Sequence, residues 1–305
     1  MNRITIFAHY DRDAIVDEYV LYYLRGLEEV SARILFVSDT ALARSETDKL
    51  EGLAELVSAA PHGEYDFGSW KRGIAYLGSA LSQIDELILV NDSCYAPVVP
   101  FQVVFARMAE VDCDAWSGTA TGDNGQVRHL NSYFLVFRRR ILADSAFKAF
   151  WQQVTSQPTS DQVVIQYENR LSEMLAGRGH RLRSFAAPDR LPVVLLGDAV
   201  KRLPGQRLPW LKVKLFRDNP LHVAELGAAL PEIDRYYPRR LIDAHQCRLI
   251  GTADPPHYHF RLGPFHRRWR FLAVVGRTRR DRWWKMQVQL FGVRVFGMAL
   301  PLRRR

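Results

Sequence analysis

Glu86-Leu-Ile-Leu-Val-Asn-Asp-Ser93 is the stretch on which the reading of the fold turns. Leu87–Val90 is a short apolar run with two β-branched members, the signature of a strand buried on both faces of a parallel sheet. It stops abruptly at Asn91-Asp92-Ser93, followed by Cys94-Tyr95-Ala96-Pro97. Open α/β sheets bind ligands at the carboxyl ends of their strands. Carboxylate and amide oxygens there suit a hard divalent cation, which commonly binds through phosphates. An ordinary Asn-Asp turn explains the same residues, so the neighbouring segments decide.

Upstream, Arg3–Ala8 reads as a first strand and Asp13–Val30 as a helix, with apolar residues at 16, 20, 21, 24 and 27 on a 3.6 period. Ala32–Val37 is a second strand ending in Ser38-Asp39. Helices are expected over Lys49–Ala59 and Gly73–Ile84, then over Pro100–Ala109 beyond the central strand. This β-α-β-α-β order predicts a mostly parallel sheet with helices on both faces. Downstream come a short strand over Asp114–Thr119, a polar loop over 121–126 and one long strand over His129–Phe137. Helices over Ser145–Val154 and Asp161–Leu175 follow, and then an extended His180–Phe185. Pro and Gly thicken after residue 187, and no internal repeat is present.

The 305 residues are 48% hydrophobic and 25% charged, an ordinary soluble composition able to bury a large core. No apolar run has the length of a membrane-spanning helix. Met1-Asn-Arg-Ile-Thr-Ile-Phe enters a strand directly, without the layout of a signal peptide. Cys94, Cys113 and Cys247 are widely spaced, which predicts free thiols in a reducing compartment and neither a disulfide framework nor a zinc site. The net charge of +9 is unevenly spread. Residues 256–305 carry 13 Lys/Arg against Asp281 alone, and the other 255 residues sum to −3.

Several groups could carry chemistry. His9-Tyr-Asp11 and Ser38-Asp39 end the first two strands, at the ligand edge, although Asp11 or Asp13 also reads as a helix cap. Tyr65-Asp-Phe-Gly-Ser-Trp-Lys-Arg-Gly73 opens a helix whose N-terminus favours anions. There Gly68 would permit close approach, Asp66 could bond a ribose or base, and Lys71 adds charge; Trp70 also suits a core anchor. His129 leads into Ser132 and Tyr133, a possible acceptor wall. Glu168, if partly desolvated, could take a proton from a hydroxyl; a solvated helix carboxylate is the plainer reading.

Together these segments resemble the rhamnan synthesis protein F family of bacterial surface-polysaccharide assembly. The resemblance is carried by His9-Tyr-Asp11, Asp17-Glu-Tyr19, Leu21-Tyr-Tyr-Leu24, Tyr65–Lys71, Leu87–Ser93 with Pro97, and His129–Phe137. Phe147–Trp151 and Tyr167-Glu168 complete it, and Trp210–Pro220 is similar to a later family segment. Asn131 and Ala96 depart from the Gln and Gly expected there. The resemblance implies a glycosyltransferase with a GT-A-like, Rossmann-like sheet, using a nucleotide sugar to extend a lipid-linked glycan such as an O-antigen or lipopolysaccharide.

In that reading residues 1–190 bind the nucleotide sugar, 191–255 complete the family region, and 256–305 form a basic aromatic extension. His9, Tyr10, Asp11, Ser38, Asp39, Asp66, Gly68, Trp70, Lys71 and Asn91 would contact the donor, with Lys71 near its diphosphate. Asp92 would hold a divalent cation (Mn or Mg), at a place where the fold usually has Asp-x-Asp. Ser132 and Tyr133 would face the acceptor, and Glu168 and His129 would be catalytic. The expected location is cytoplasmic, peripheral on the inner face of the plasma membrane. Docking through the tail fits its Arg residues, mixed with Trp269, Phe271, Trp283, Trp284, Phe291 and Phe296. The tail also reads as a hairpin around Gly292. Nucleic acid is not the expected partner. A non-catalytic sugar-binding or scaffold subunit is the alternative.

Overall fold

The computed structural model describes residues 1–123, 125–188, 208–218 and 226–252, together with the backbone of three strands beyond them. Its centre is a seven-stranded sheet in the order β10-β6-β9-β4-β1-β2-β3. These strands are β1 (Arg3–His9), β2 (Arg33–Ser38), β3 (Glu55–Ala59), β4 (Glu86–Asn91), β6 (Ala115–Ser117), β9 (Phe134–Arg138) and β10 (Leu182–Ser184). β1 pairs in parallel with β2 and β4, β2 with β3, and β6 with β10, while β9 runs antiparallel between β4 and β6. The mostly parallel α/β sheet expected from residues 86–93 is therefore present, with one reversed strand.

Residues along each central strand alternate between two cores, as the two-residue period of a strand requires. Phe7, Phe36, Ile88, Val90, Phe134 and Val136 point to one face. There they meet α1 (Glu18–Glu28), α4 (Phe101–Ala109) and the segments 208–216 and 226–242. Ile6, Leu35, Val37, Leu87, Leu89 and Phe137 point to the other, against α3 (Tyr65–Leu77), α6 (Ser145–Gln152) and the helices after residue 160. Helices thus cover both faces. The segments 208–216 and 226–242 share the first core and form no separate layer.

Three elements differ from the sequence reading. The helix expected over Lys49–Ala59 ends early, because Gly52 turns the chain at φ +76°, and Glu55–Ala59 becomes the edge strand β3. The long strand expected over His129–Phe137 is two strands. β8 (Gln126–Leu130) pairs with β7 (Ala120–Asp123), and only β9 joins the main sheet. The break falls at Asn131 and Ser132, whose N–H groups donate to the Thr119 carbonyl and the Glu168 carboxylate instead of a ladder. The first helix starts at Glu18, not Asp13, because Asp11 Oδ1 accepts from the N–H groups of Asp13 and Ile15 and holds that stretch as a loop.

Residues 1–259 form one compact unit and 260–305 another. Within the second, β12 (Ala273–Gly276), β13 (Trp283–Leu290) and β14 (Val293–Pro301) make an antiparallel sheet, which includes the expected hairpin. The boundary placed at 190/191 and the tail residues Trp269, Phe271 and Phe291 lie outside the described residues.

Candidate functional site at the carboxyl edge of the sheet

β1 and β4 are paired neighbours with Ala8 opposite Asn91, so the loops that follow them start side by side. The Tyr10 N–H donates to Asp92 Oδ2 at 2.8 Å, and the Tyr19 hydroxyl donates to the Asp92 carbonyl at 3.0 Å. Asn91 Nδ2 donates to Asp66 Oδ2 at 2.7 Å, which brings the start of α3 to the same edge. Tyr10, Asp66, Asn91 and Asp92 therefore lie together at the carboxyl edge of the sheet, where Tyr10, Asp11 and Asp92 line a cavity.

Not every expected donor contact faces it. Trp70 is fully buried, and its Nε1 donates to the Val90 carbonyl, so it anchors the core and cannot stack on a ligand. Lys71 turns away, donating to the Val154 carbonyl at 2.7 Å and lying 3.6 Å from Glu64. At Gly68 the space for a side chain is filled by Glu64 and His62, so that glycine serves helix packing. His9 and Ser38 are buried against each other, with His9 Nδ1 2.9 Å from Ser38 Oγ. Asp39 accepts from the N–H groups of His62 and Gly63 and fixes the loop after β3. Tyr133 is buried, its hydroxyl donating to Thr119 Oγ1 at 3.0 Å, and only Ser132 remains half-buried.

Glu168 lies in a π-helical turn, Val164–Asn169, between α7 (Ser160–Val163) and α8 (Arg170–Gly177). Such turns widen a helix locally and re-aim its side chains, frequently at functional sites. Glu168 Oε2 accepts from the Ser132 N–H at 2.7 Å, and Oε1 is 3.5 Å from His129 Nε2. Burial pushes the His129 pKa down against the pull of Glu168, so the imidazole is neutral at pH 7.

The carboxylates at the edge are strained electrostatically. Burial pushes the Asp66 carboxyl up to about 6, opposed by the Asn91 hydrogen bond and assisted by the charge of Glu168. Burial also pushes Asp92 up to about 7, and the neighbouring Asp66 and Asp11 act in the same direction. A carboxyl with a raised folded-state pKa stabilises the fold below its unfolded value of about 3.9, and that contribution disappears as pH rises through the folded value. Asp92→Asn should therefore raise stability at pH 8 by roughly 1–2 kcal/mol and leave it unchanged near pH 4. Urea unfolding at the two pH values measures this, and an equal effect at both would contradict the assignment.

A divalent cation at this edge would rest on carboxylate and amide oxygens that also accept protein hydrogen bonds. Asp92 Oδ2 is taken by Tyr10, both Asp66 oxygens accept protein hydrogen bonds, and Asn91 Oδ1 accepts from Ser93 Oγ at 2.5 Å. Among the described residues no three acidic, histidine or cysteine side chains converge as metal ligands.

A cavity of about 400 Å³ opens beside Asp11 and Asp92. Its walls include residues that sequence reasoning did not assign: Lys212, Lys214, Arg217 and His245. Lys212 is held there because β11 (Leu211–Lys212) pairs with β5 (Cys94–Tyr95), directly after the Asn91-Asp92 turn. Its ammonium donates to Ser93 Oγ at 2.8 Å and lies 4.3 Å from the centre of the Tyr133 ring. The helix Arg239–Ile250 closes another side. His245 Nδ1 is 2.8 Å from the Tyr95 hydroxyl, and its ring stacks on Tyr19. Three residues on, Arg248 pairs with Asp11, Asp13 and Asp17 at 2.5, 2.9 and 2.6 Å. The sequence signals were the family-like segment Trp210–Pro220, which contains Lys212, Lys214 and Arg217, and a basic residue in a last helical turn, and the second is commonplace.

TarS residues 1–349 from S. aureus is similar over 80% of this chain and 83% of that one, at 15% identity and a TM-score of 0.41. The Mn/GDP form of core-mannan synthase A from Aspergillus fumigatus is similar over 60% and 72%, at 11% identity and a TM-score of 0.35. Uncharacterized protein y4gN of Sinorhizobium fredii (strain NBRC 101917 / NGR234) is 24% identical over 175 residues, 56% of this chain. Those residues span 45% of that relative's length. The profile of rhamnan synthesis protein F matches residues 34–258, most of the chain and nearly all of the unit that builds the cavity. The chain belongs to the rhamnan synthesis protein F family.

Proposed function

We propose that this protein transfers a sugar from a nucleoside-diphosphate sugar to a lipid-linked glycan acceptor, with a deoxyhexose such as rhamnose as the donor sugar. The observation that carries the reading is the position of Glu168. Its carboxylate accepts from the Ser132 N–H, and its charge reaches Asp66, which Asn91 ties to the end of β4. Glu168 takes the proton of the acceptor hydroxyl as that oxygen attacks the anomeric carbon. The bond from that carbon to the phosphate oxygen breaks, and the nucleoside diphosphate leaves with the electron pair. Neutral His129 places a second polar group against the base. Ser132 stands beside Glu168 on the acceptor side.

The base and ribose are assigned to the end of β1, around Tyr10 and Asp11. The tail adds a surface contact: its +12 charge and interleaved aromatics suit the anionic inner face of the plasma membrane. Among the described residues no helix is long and apolar enough to cross a membrane.

A thermal-shift screen of UDP-, GDP- and dTDP-sugars tests the reading. A ligand at 100 times its dissociation constant adds about 2.7 kcal/mol to folding, so the correct donor should raise Tm by several degrees. A panel in which no nucleotide sugar moves Tm would reject it.

A further inference from the structure

The cavity beside Asp92 carries more positive charge than its own carboxylates neutralise. Arg12, Lys212, Lys214 and Arg217 line it, against Asp11 and Asp92. Arg12 is paired with Asp13, and Arg217 with Asp218. Asp11 is already held by Arg248 at 2.5 Å. Lys212 and Lys214 have no carboxylate within ion-pair distance among the described residues. Lys212 is half-buried, which makes an unpaired ammonium costly unless a ligand's charge meets it. Ser93 Oγ and the Tyr133 ring hold the group in place, and its charge reaches Asp66 without an ion pair between them. The remaining polar side chains facing the cavity, Ser93, His245, Tyr10 and Tyr19, bring no carboxylate.

We propose that Lys212 and Lys214, supported by Arg217, grip the diphosphate of the donor directly, so that side-chain cations supply the charge stabilisation at the leaving group without a bound metal. This inference rests on the transferase reading above and assigns the diphosphate to the cavity wall formed by Lys212 and Lys214. Lys71, on the far side of α3, takes no part. Cationic walls around a concave site also focus the field and draw anions in. During transfer the diphosphate oxygen released from the anomeric carbon gains a negative charge, and the Lys212 ammonium stabilises it where it develops.

Isothermal titration of the full chain with inorganic pyrophosphate in excess EDTA tests this. Binding is expected without metal. Lys212→Met should weaken it at least tenfold, and the exposed Lys214→Gln, which cannot disturb the core, about three- to tenfold. Lys71→Met should change it less than twofold. Circular dichroism confirms that each variant folds. Pyrophosphate that binds only once Mn²⁺ is added, no binding in either buffer, full affinity in both Lys212→Met and Lys214→Gln, or an equal loss in Lys71→Met would each overturn the proposal. Donor-sugar turnover that requires Mn²⁺ would leave the transferase reading intact while removing this one.

Discussion

Glu168→Gln should lower turnover by about 10²–10⁴-fold, the usual worth of a positioned general base. The amide keeps an oxygen that can accept the Ser132 N–H, now 2.7 Å from Oε2, so the local fold survives. What it loses is the capacity to take a proton. The loss should fall on kcat, with donor affinity unchanged, because the cavity beside Asp92 does not include Glu168. Glu168→Asp retains the charge but withdraws it from the acceptor, and should give partial activity. Steady-state assays combined with thermal unfolding separate the outcomes. A folded Glu168→Gln enzyme with undiminished kcat would remove Glu168 from the mechanism.

Arg248→Met should destabilise the protein by about 3 kcal/mol at pH 7, as expected when one partner of a largely buried ionic group is deleted. The guanidinium is 20% exposed and joins Asp11 and Asp17, whose side chains are 10% and 14% exposed. The pair to Asp13, at 46% exposure, adds little. Burial works to raise the Asp11 pKa, but Arg248 overrides it and holds the carboxyl below its usual value. The native contribution of Asp11 is therefore present above the unfolded carboxylate pKa and lost as pH falls. In Arg248→Met the carboxylates face one another without a cation until they protonate. The deficit relative to the native protein should shrink toward pH 4 in urea unfolding. Equal stability of the two proteins at pH 7 would show that the ionic group holds nothing together. Because Asp11 also lines the cavity, loss of the pair should loosen the site with the fold.

The mostly parallel sheet and its two-sided core were legible because Leu87–Val90 and its neighbours are apolar at every position, which only a strand covered on both faces tolerates. That the loops after β1 and β4 start side by side was legible for the same reason, since parallel strand ends share one edge. Side-chain direction was not. Trp70 and Lys71 read as ligand contacts in the sequence, yet one turn of α3 carries Trp70 into the core and points Lys71 at Val154. The strand through Asn131 and Ser132 was misjudged because its N–H groups are claimed by Thr119 and Glu168, partners distant in sequence. Lys212 and Arg248 were missed because long-range contacts, the β5–β11 pairing and the packing of the helix Arg239–Ile250, bring them to the edge. No local pattern encodes such contacts.

The most direct test of the central claim is release of nucleoside diphosphate when the purified full chain is given a panel of nucleotide sugars together with lipid-linked glycan acceptors. The account predicts acceptor-dependent release with at least one donor, and its loss in Glu168→Gln. A protein that neither binds nor turns over any nucleotide sugar would contradict it.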